Sequence, residues 1–236
     1  MYMEKHTENC MICGMLLEYF ESVKDVNCHI CGKSHQTNAT CVDGHYVCDD
    51  CHSEEGLLFI TSFINRTTSR DPIAISKQIM KNPVINMHGP EHHYLTAASL
   101  LAAYRNSGGE VDFSQAMQNT VQRAKNVPGG ICGYWGSCGA GIATGIFISV
   151  ITGATPLSGK EWSLANEMTS KSLATISENG GPRCCKRNSQ LAILQAAAFV
   201  KERFNIIMEL PERIDCEFSS RNSQCRENDC LFYSGN

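Results

Sequence analysis

Four donor pairs stand near the start of the chain: Cys10-x2-Cys13, Cys28-x2-Cys31, Cys41-x3-His45 and Cys48-x2-Cys51. Thiol and imidazole pairs at this spacing are the ligand pattern of tetrahedral zinc, and four pairs are enough for two ions. Two of them sit in near-identical turns, CMICG and CHICG, where a glycine after the second cysteine lets the backbone aim both sulfurs at one point. Three pairings are compatible with the spacing. A sequential one joins the first pair to the second and the third to the fourth. A cross-braced one joins first to third and second to fourth. A single ribbon uses only Cys28, Cys31, Cys48 and Cys51. His29 or His52 could stand in for His45. Such sites, filled by protein donors, are structural rather than catalytic.

Four more cysteines lie in two glycine-rich loops, PGGICGYWGSCGAG with Cys132 and Cys138, and GGPRCCKR with Cys184 and Cys185. Each loop feeds a helix. Orphan amides and the dipole at a helix start favour a thiolate, so lowered thiol pKa values are expected there. Arg183, Lys186 and Arg187 add positive charge for an anionic cluster or substrate. A [4Fe–4S] cluster suits this set better than zinc, because glycines let amides approach inorganic sulfide. Cys132, Cys138 and Cys184 are the expected ligands, with Cys185 as a working thiol, although Cys185 could replace Cys184 in the ligand set. Adjacent side chains usually diverge, which argues against both serving one ion. The bland alternative treats these cysteines as small buried apolar residues. The knot HGPEHH places His92 and His93 before a helix as candidate proton carriers, against the alternative of solvent-facing cap residues.

A third group, Cys216-x8-Cys225-x4-Cys230, lies in a polar tail with little apolar material. It reads as a ligand set completed from elsewhere, joining the second block or forming its own centre, or as redox or sulfur-carrying thiols. Gly139-x-Gly141-x3-Gly145 resembles a phosphate-binding turn, but no apolar strand precedes it, so a dinucleotide site is rejected.

The elements that must carry these groups are mainly helical. Asp71-Pro72 opens a helix that Pro83 stops. Apolar periodicity predicts helices over 94–105, 111–125, 141–152 and 160–178, and a further one from Pro182 to about Phe204. Segment 141–152 is apolar on nearly every face and should be the central helix. The expected fold is mainly α: a zinc-binding module over 1–53, a helical main domain over 54–210 and a cysteine-containing tail over 211–236.

Of the 236 residues, 42% are hydrophobic and 19% charged, the balance of a folded soluble protein. A net charge of −4 argues against a nucleic-acid surface. Residues 139–157 are uncharged, but four glycines and a proline make them a buried helix rather than a membrane span. Residues 1–9 are polar with no apolar leader, so a reducing cytoplasm and free thiols are expected.

The motifs CVDGHYVCDDCH, HGPEHHYLTAASLLAAYRNSGG, PGGICGYWGSCGAGIATGI and GGPRCCKR, with the spaced tail cysteines, resemble a prokaryotic family of unknown function, DUF5714, found mainly in methanogens and other anaerobes. Some members are labelled as S-adenosylmethionine-dependent methyltransferases, but this chain has no glycine motif after a strand to support that activity. Pairing a glycine-rich helix start with a later cysteine loop also resembles iron–sulfur cysteine desulfidases and serine dehydratases. That likeness transfers no residue role. The functional expectation is an oxygen-sensitive iron–sulfur enzyme for elimination or desulfuration of a small anion. Arg183, Lys186 and Arg187 would bind the anion, and His92 or His93 would move protons. The alternatives are a non-catalytic zinc and iron–sulfur protein that transfers electrons, metal or sulfur or docks a partner, and a cluster-free redox pair at Cys184–Cys185.

Overall fold

The computed structural model describes residues 10–235; residues 1–9, read above for a leader, and Asn236 lie outside the described residues. Two antiparallel strands, β1 (Leu17–Asn27) and β2 (Ser34–Cys41), precede eight helices among the described residues. The hairpin was not foreseen in the sequence. Leu17 faces Cys41 and Asn27 faces Ser34, with an irregularity between Tyr19 and Lys24. Between residues 10 and 48 the buried residues are Cys10, Cys28, Cys41 and Cys48. Larger side chains of this segment, such as Leu16 and Val23, are exposed. The module therefore has no apolar core of its own.

Helix α1 (Asp49–Arg66) starts at the last knuckle, with Cys48 as its N-cap, and buries Leu57, Ile60 and Ile64 in the helical domain. It runs straight across residue 53. Helix α2 (Pro72–Lys81) begins as its local chemistry demands: the Asp71 carboxylate accepts the amides of Ile73 and Ala74 at 2.8 and 3.0 Å. Helix α3 (Glu91–Asn106) has 14 of its 16 residues buried. It packs against α1, α2, α4, α6 and α8. The remaining helices are α4 (Phe113–Lys125), capped by Asp112, a single turn α5 (Ile131–Tyr134), α6 (Gly139–Ile151), α7 (Lys160–Glu178) and α8 (Cys185–Phe204).

Two expectations shift here. The most enclosed helix is α3 rather than the 141–152 segment. Helix α6 keeps one side toward α7, where Gly145 makes room for Thr169: a Cβ there would lie 1.9 Å from its hydroxyl. Small Ala and Ser side chains let α3 be surrounded without overt apolarity, so mean hydropathy pointed to the wrong helix. Helix α8 begins at Cys185, not Pro182, because Cys184 takes the cap and accepts the Arg187 amide. After α8 the tail docks back through Phe218 and Phe232, both buried, and is closed on itself by the Cys216 amide, which donates to the Phe232 carbonyl at 2.7 Å. No helix among the described residues is long and apolar enough to cross a membrane.

Candidate metal centres

The hairpin decides which pairs meet. Its turn carries Cys28 and Cys31 away from Cys10 and Cys13, and the antiparallel return of β2 brings Cys41 back beside Leu17. The first pair is thus joined by the third. The next segment reverses again, where the His29 amide donates to the Tyr46 carbonyl at 2.8 Å, and delivers Cys48 and Cys51 to the second pair. The result is two donor sets, Cys10/Cys13/Cys41/His45 and Cys28/Cys31/Cys48/Cys51, each with all ligand atoms within 4.8 Å of one another. This is the cross-braced pairing. His29 and His52 lie outside both sets; the His29 ring instead packs edge-on against His45, 4.7 Å between centroids.

The spacing suits one ion per set. A tetrahedron with Zn–S bonds of about 2.3 Å has sulfurs about 3.8 Å apart. Cys13 and Cys41 are 3.8 Å apart, as are Cys31 and Cys48. His45 Nδ1 stands 3.2 Å from the Cys13 sulfur. Backbone amides support the sulfurs: Ile12 donates to Cys10 at 3.4 Å, His45 to Cys41 at 3.2 Å and Cys48 to Cys28 at 3.4 Å. Crowding spreads the thiol pKa values. Burial would raise Cys28, but the amides of Cys31, Cys48 and Ile30 pull it down to about 6. Burial and the neighbouring sulfurs push Cys51 up to about 12. Four thiols cannot all ionise side by side unless a cation joins them. These donors could hold metal ions such as zinc.

Beneath the hairpin lies a cavity of about 340 Å³ lined by residues of both the N-terminal module and the helical domain. That size is within the usual range for a small-molecule site. Cys132, Cys138, Cys185, His92, His93 and Arg183 all line it. The link between module and domain is partly explicit: Asp49, at the start of α1, accepts the Gly129 amide at 2.7 Å.

The two histidines enter the first turn of α3 and are buried, so the solvent-facing alternative falls. His92 Nδ1 lies 3.1 Å from the Gly89 carbonyl, which can only accept, so Nδ1 carries the proton. That leaves Nε2 as the basic nitrogen, buried and without a protein hydrogen-bond partner. Burial holds His92 well below the ordinary imidazole pKa, with Lys186 adding to the effect. His93 Nδ1 is tied in the same way to the Val127 carbonyl at 3.1 Å. Its ring lies on the first turn of α6, where a Cβ on Gly139 would come within 2.1 Å of Nε2.

Glu91, the carboxylate of the same HGPEHH knot, precedes them at the start of α3. It is fully buried, accepts the Asn86 amide at 3.0 Å and sits 3.8 Å from His52. Desolvation raises its pKa, opposed by His52 and Lys186. Its signal was Gly89, which has no room for a side chain because a Cβ would meet Glu91 Oε2 at 2.0 Å.

The basic residues separate. Arg183 faces the cavity beneath the hairpin. Lys186 is 2% exposed, and its Nζ donates to the Asn86 carbonyl at 2.8 Å. Desolvation takes its pKa down to about 8, against the pull of Glu91. Arg187 donates to the Gly180 and Pro182 carbonyls at 2.7 and 3.0 Å and to the Asn188 side chain at 3.1 Å. Lys186 and Arg187 therefore brace the loop and line a second, smaller cavity.

The cysteines sort likewise. Cys185 lines the cavity beneath the hairpin, where Asn188 donates to the Cys138 sulfur at 3.4 Å. Cys184 also reaches the small one, whose wall holds Cys216, Cys225 and Cys230. The expected lowering of thiol pKa does not occur. Burial pushes Cys132 and Cys184 up, and takes Cys185 up to about 12 despite the Gly89 amide. Removing a thiolate from water outweighs a few amides at a helix start.

A family model described as "Family of unknown function (DUF5714)" matches residues 60–233. That range holds both cavity histidines and every cysteine from Cys132 to Cys230, and leaves the N-terminal donor sets outside it. No curated protein and no solved structure matches the chain.

Proposed function

The chain belongs to the DUF5714 family, and we propose that it is a zinc-stapled, oxygen-sensitive iron–sulfur enzyme of a reducing cytoplasm, acting on a small anion in the cavity beneath the hairpin. One observation carries this reading: Cys132, Cys138 and Cys185 line the same cavity as a neutral imidazole and an arginine. The donor set fits an iron–sulfur cluster, since three thiols come from two helix-start loops and Asn188 already offers Cys138 an N–H. With three protein ligands, such a cluster would supply an iron open to the substrate. Zinc in the two N-terminal sets would hold the hairpin over the cavity as a roof.

The chain's own groups suit elimination, including loss of hydrosulfide. Proton removal beside a carboxylate, formation of a C=C bond and departure of the leaving group with its electron pair are redox-neutral together. His92 accepts that proton at Nε2, the nitrogen left basic by the Gly89 contact. Arg183 pairs with the carboxylate. The hairpin covers one side of the cavity, and Asp49 ties it to the loop at Gly129. A docking or carrier role draws support from a different observation: Trp135, between Cys132 and Cys138, is 67% exposed.

The test is zinc, iron and acid-labile sulfide per chain on strictly anaerobic protein, followed by mass-spectrometric screening of hydroxy- and thiol-carboxylates for alkene products. Cys132→Ser with Cys138→Ser should lose the iron and sulfide held at this cavity, and His92→Gln should keep both while abolishing turnover. Zinc without iron or sulfide would sink the enzyme reading. Iron with no turnover of any small anion would favour the carrier.

A further inference from the structure

We infer that Cys184, Cys216, Cys225 and Cys230 form a separate four-thiolate centre that takes an iron–sulfur cluster of its own. The observation is convergence. Cys184, the N-cap of α8, and the three cysteines of the tail line one small cavity of about 20 Å³ between the helical domain and the docked tail. Cys184 is distant in sequence from the other three, which the tail carries in as Ile214, Phe218 and Phe232 pack into the core. Folding brings all four thiols to the wall of one cavity.

The backbone is arranged for thiolates there. The Arg187 amide donates to the Cys184 sulfur, that of Phe218 to Cys216 and that of Glu227 to Cys225, each at 3.4 Å. The Asn222 side chain adds a contact to Cys184 at 3.6 Å. Amide-to-sulfur contacts two residues on also mark the N-terminal knuckle at Cys10. Glu227 holds φ at +48°, a left-handed conformation rarely adopted outside glycine, asparagine and aspartate. Strain of this kind persists where surrounding structure demands it, and here it falls on the residue that donates to Cys225. Lys186, Arg187 and Arg226 line the same cavity and offset an anionic centre.

Spacing separates a cluster from a lone ion. Among the described residues, the groups with three or more donors all within 4.8 Å are the two N-terminal sets. The tail sulfurs stand wider, as a polynuclear core several atoms across requires. Bonds from thiolate to iron are shorter than van der Waals contacts, so the thiols can close on a core larger than the free space between them. Four protein ligands leave no iron open, which makes this centre a store of electrons or a staple rather than a substrate site. The adjacent residues Cys184 and Cys185 then serve different centres.

This inference does not depend on the cavity beneath the hairpin. Two double variants, prepared anaerobically with ferrous iron and sulfide, separate the two. Cys225→Ser with Cys230→Ser should lose about half the iron and sulfide if both centres hold cubanes, while zinc is unchanged. Cys132→Ser with Cys138→Ser should retain iron, sulfide and a reducible signal in electron paramagnetic resonance. Unchanged iron, sulfide and spectrum in the tail variant would overturn the inference, as would loss of zinc there in place of iron. The pocket variant leaves the tail intact, so iron-free pocket variant overturns it even if the tail variant fails to fold. A pocket variant that keeps all its iron would support the tail centre and sink the reading of the cavity beneath the hairpin instead.

Discussion

Replacing Cys13 with serine and His45 with alanine in one chain is expected to release one zinc ion and leave the other in place. Both residues belong to the set completed by Cys10 and Cys41, and neither touches Cys28, Cys31, Cys48 or Cys51. Under sequential pairing the same two changes would remove a ligand from each site. A structural zinc contributes about 10–16 kcal/mol in small metal-folded domains, which corresponds to dissociation constants of roughly nanomolar to picomolar. A site that loses two of four donors should fall out of this range and yield to a nanomolar chelator. Cys13 is exposed and His45 half-buried, so the substitutions leave no large void. Since the buried residues from 10 to 48 are cysteines, no apolar core can hold the emptied end, and protease should cut near Leu17 and Cys41. The helical domain should keep its circular dichroism. Mass spectrometry under native conditions reads the ions directly. Loss of both ions, or of neither, would refute the cross-braced geometry, and so would a protease-resistant hairpin after complete metal removal.

Zinc affinity should rise with pH. Cys13 and Cys51 hold their protons up to about 11 and about 12 in the metal-free sets, and metal must displace them. The bound state carries fewer protons, so acidification favours the empty one; calorimetry in buffers of different ionisation enthalpy should detect proton release, and pH-independent affinity would contradict the crowded-thiol picture. Lys186→Ala should cost about 1–3 kcal/mol, because it leaves the Asn86 carbonyl without its buried ammonium donor, and a melting temperature within error of the parent would refute that bracing role. Gly139→Ala should destabilise by about 1–3 kcal/mol by pushing on the His93 ring. Histidine nitrogen shifts would reveal loss of the Val127 contact, and unchanged shifts would show that the ring is placed otherwise.

Much of this was readable from local chemistry. The Asp71–Pro72 start of α2, the span of α7 and the end of α4 follow from caps, periodicity and glycine stops within a few residues. The β-hairpin was not readable, because β1 carries Glu18, Glu21, Lys24 and Asp25 and has no buried face to impose alternation. Helix α1 was missed as well, since its first turn is shared with the knuckle. At the cavity, the sequence marked His92, His93, Cys132, Cys138 and Arg183; the complete burial of Glu91 beside His92 was not readable. A buried carboxylate looks in sequence like any acidic residue at a helix start.

Donor identity and spacing belong to the sequence alone: which residues can ligate, and that neighbours two or three apart share an ion. Partner choice belongs to the tertiary structure. The antiparallel return of β2 joins the first pair to the third, and the docking of the tail on α8 brings Cys216, Cys225 and Cys230 to Cys184. The same holds for charge. Arg183, Lys186 and Arg187 look alike in the chain, yet burial turns two of them into braces on backbone carbonyls and leaves one at the cavity. Local spacing acts over a turn or two of chain, whereas burial and long-range contact exist only once distant segments have packed.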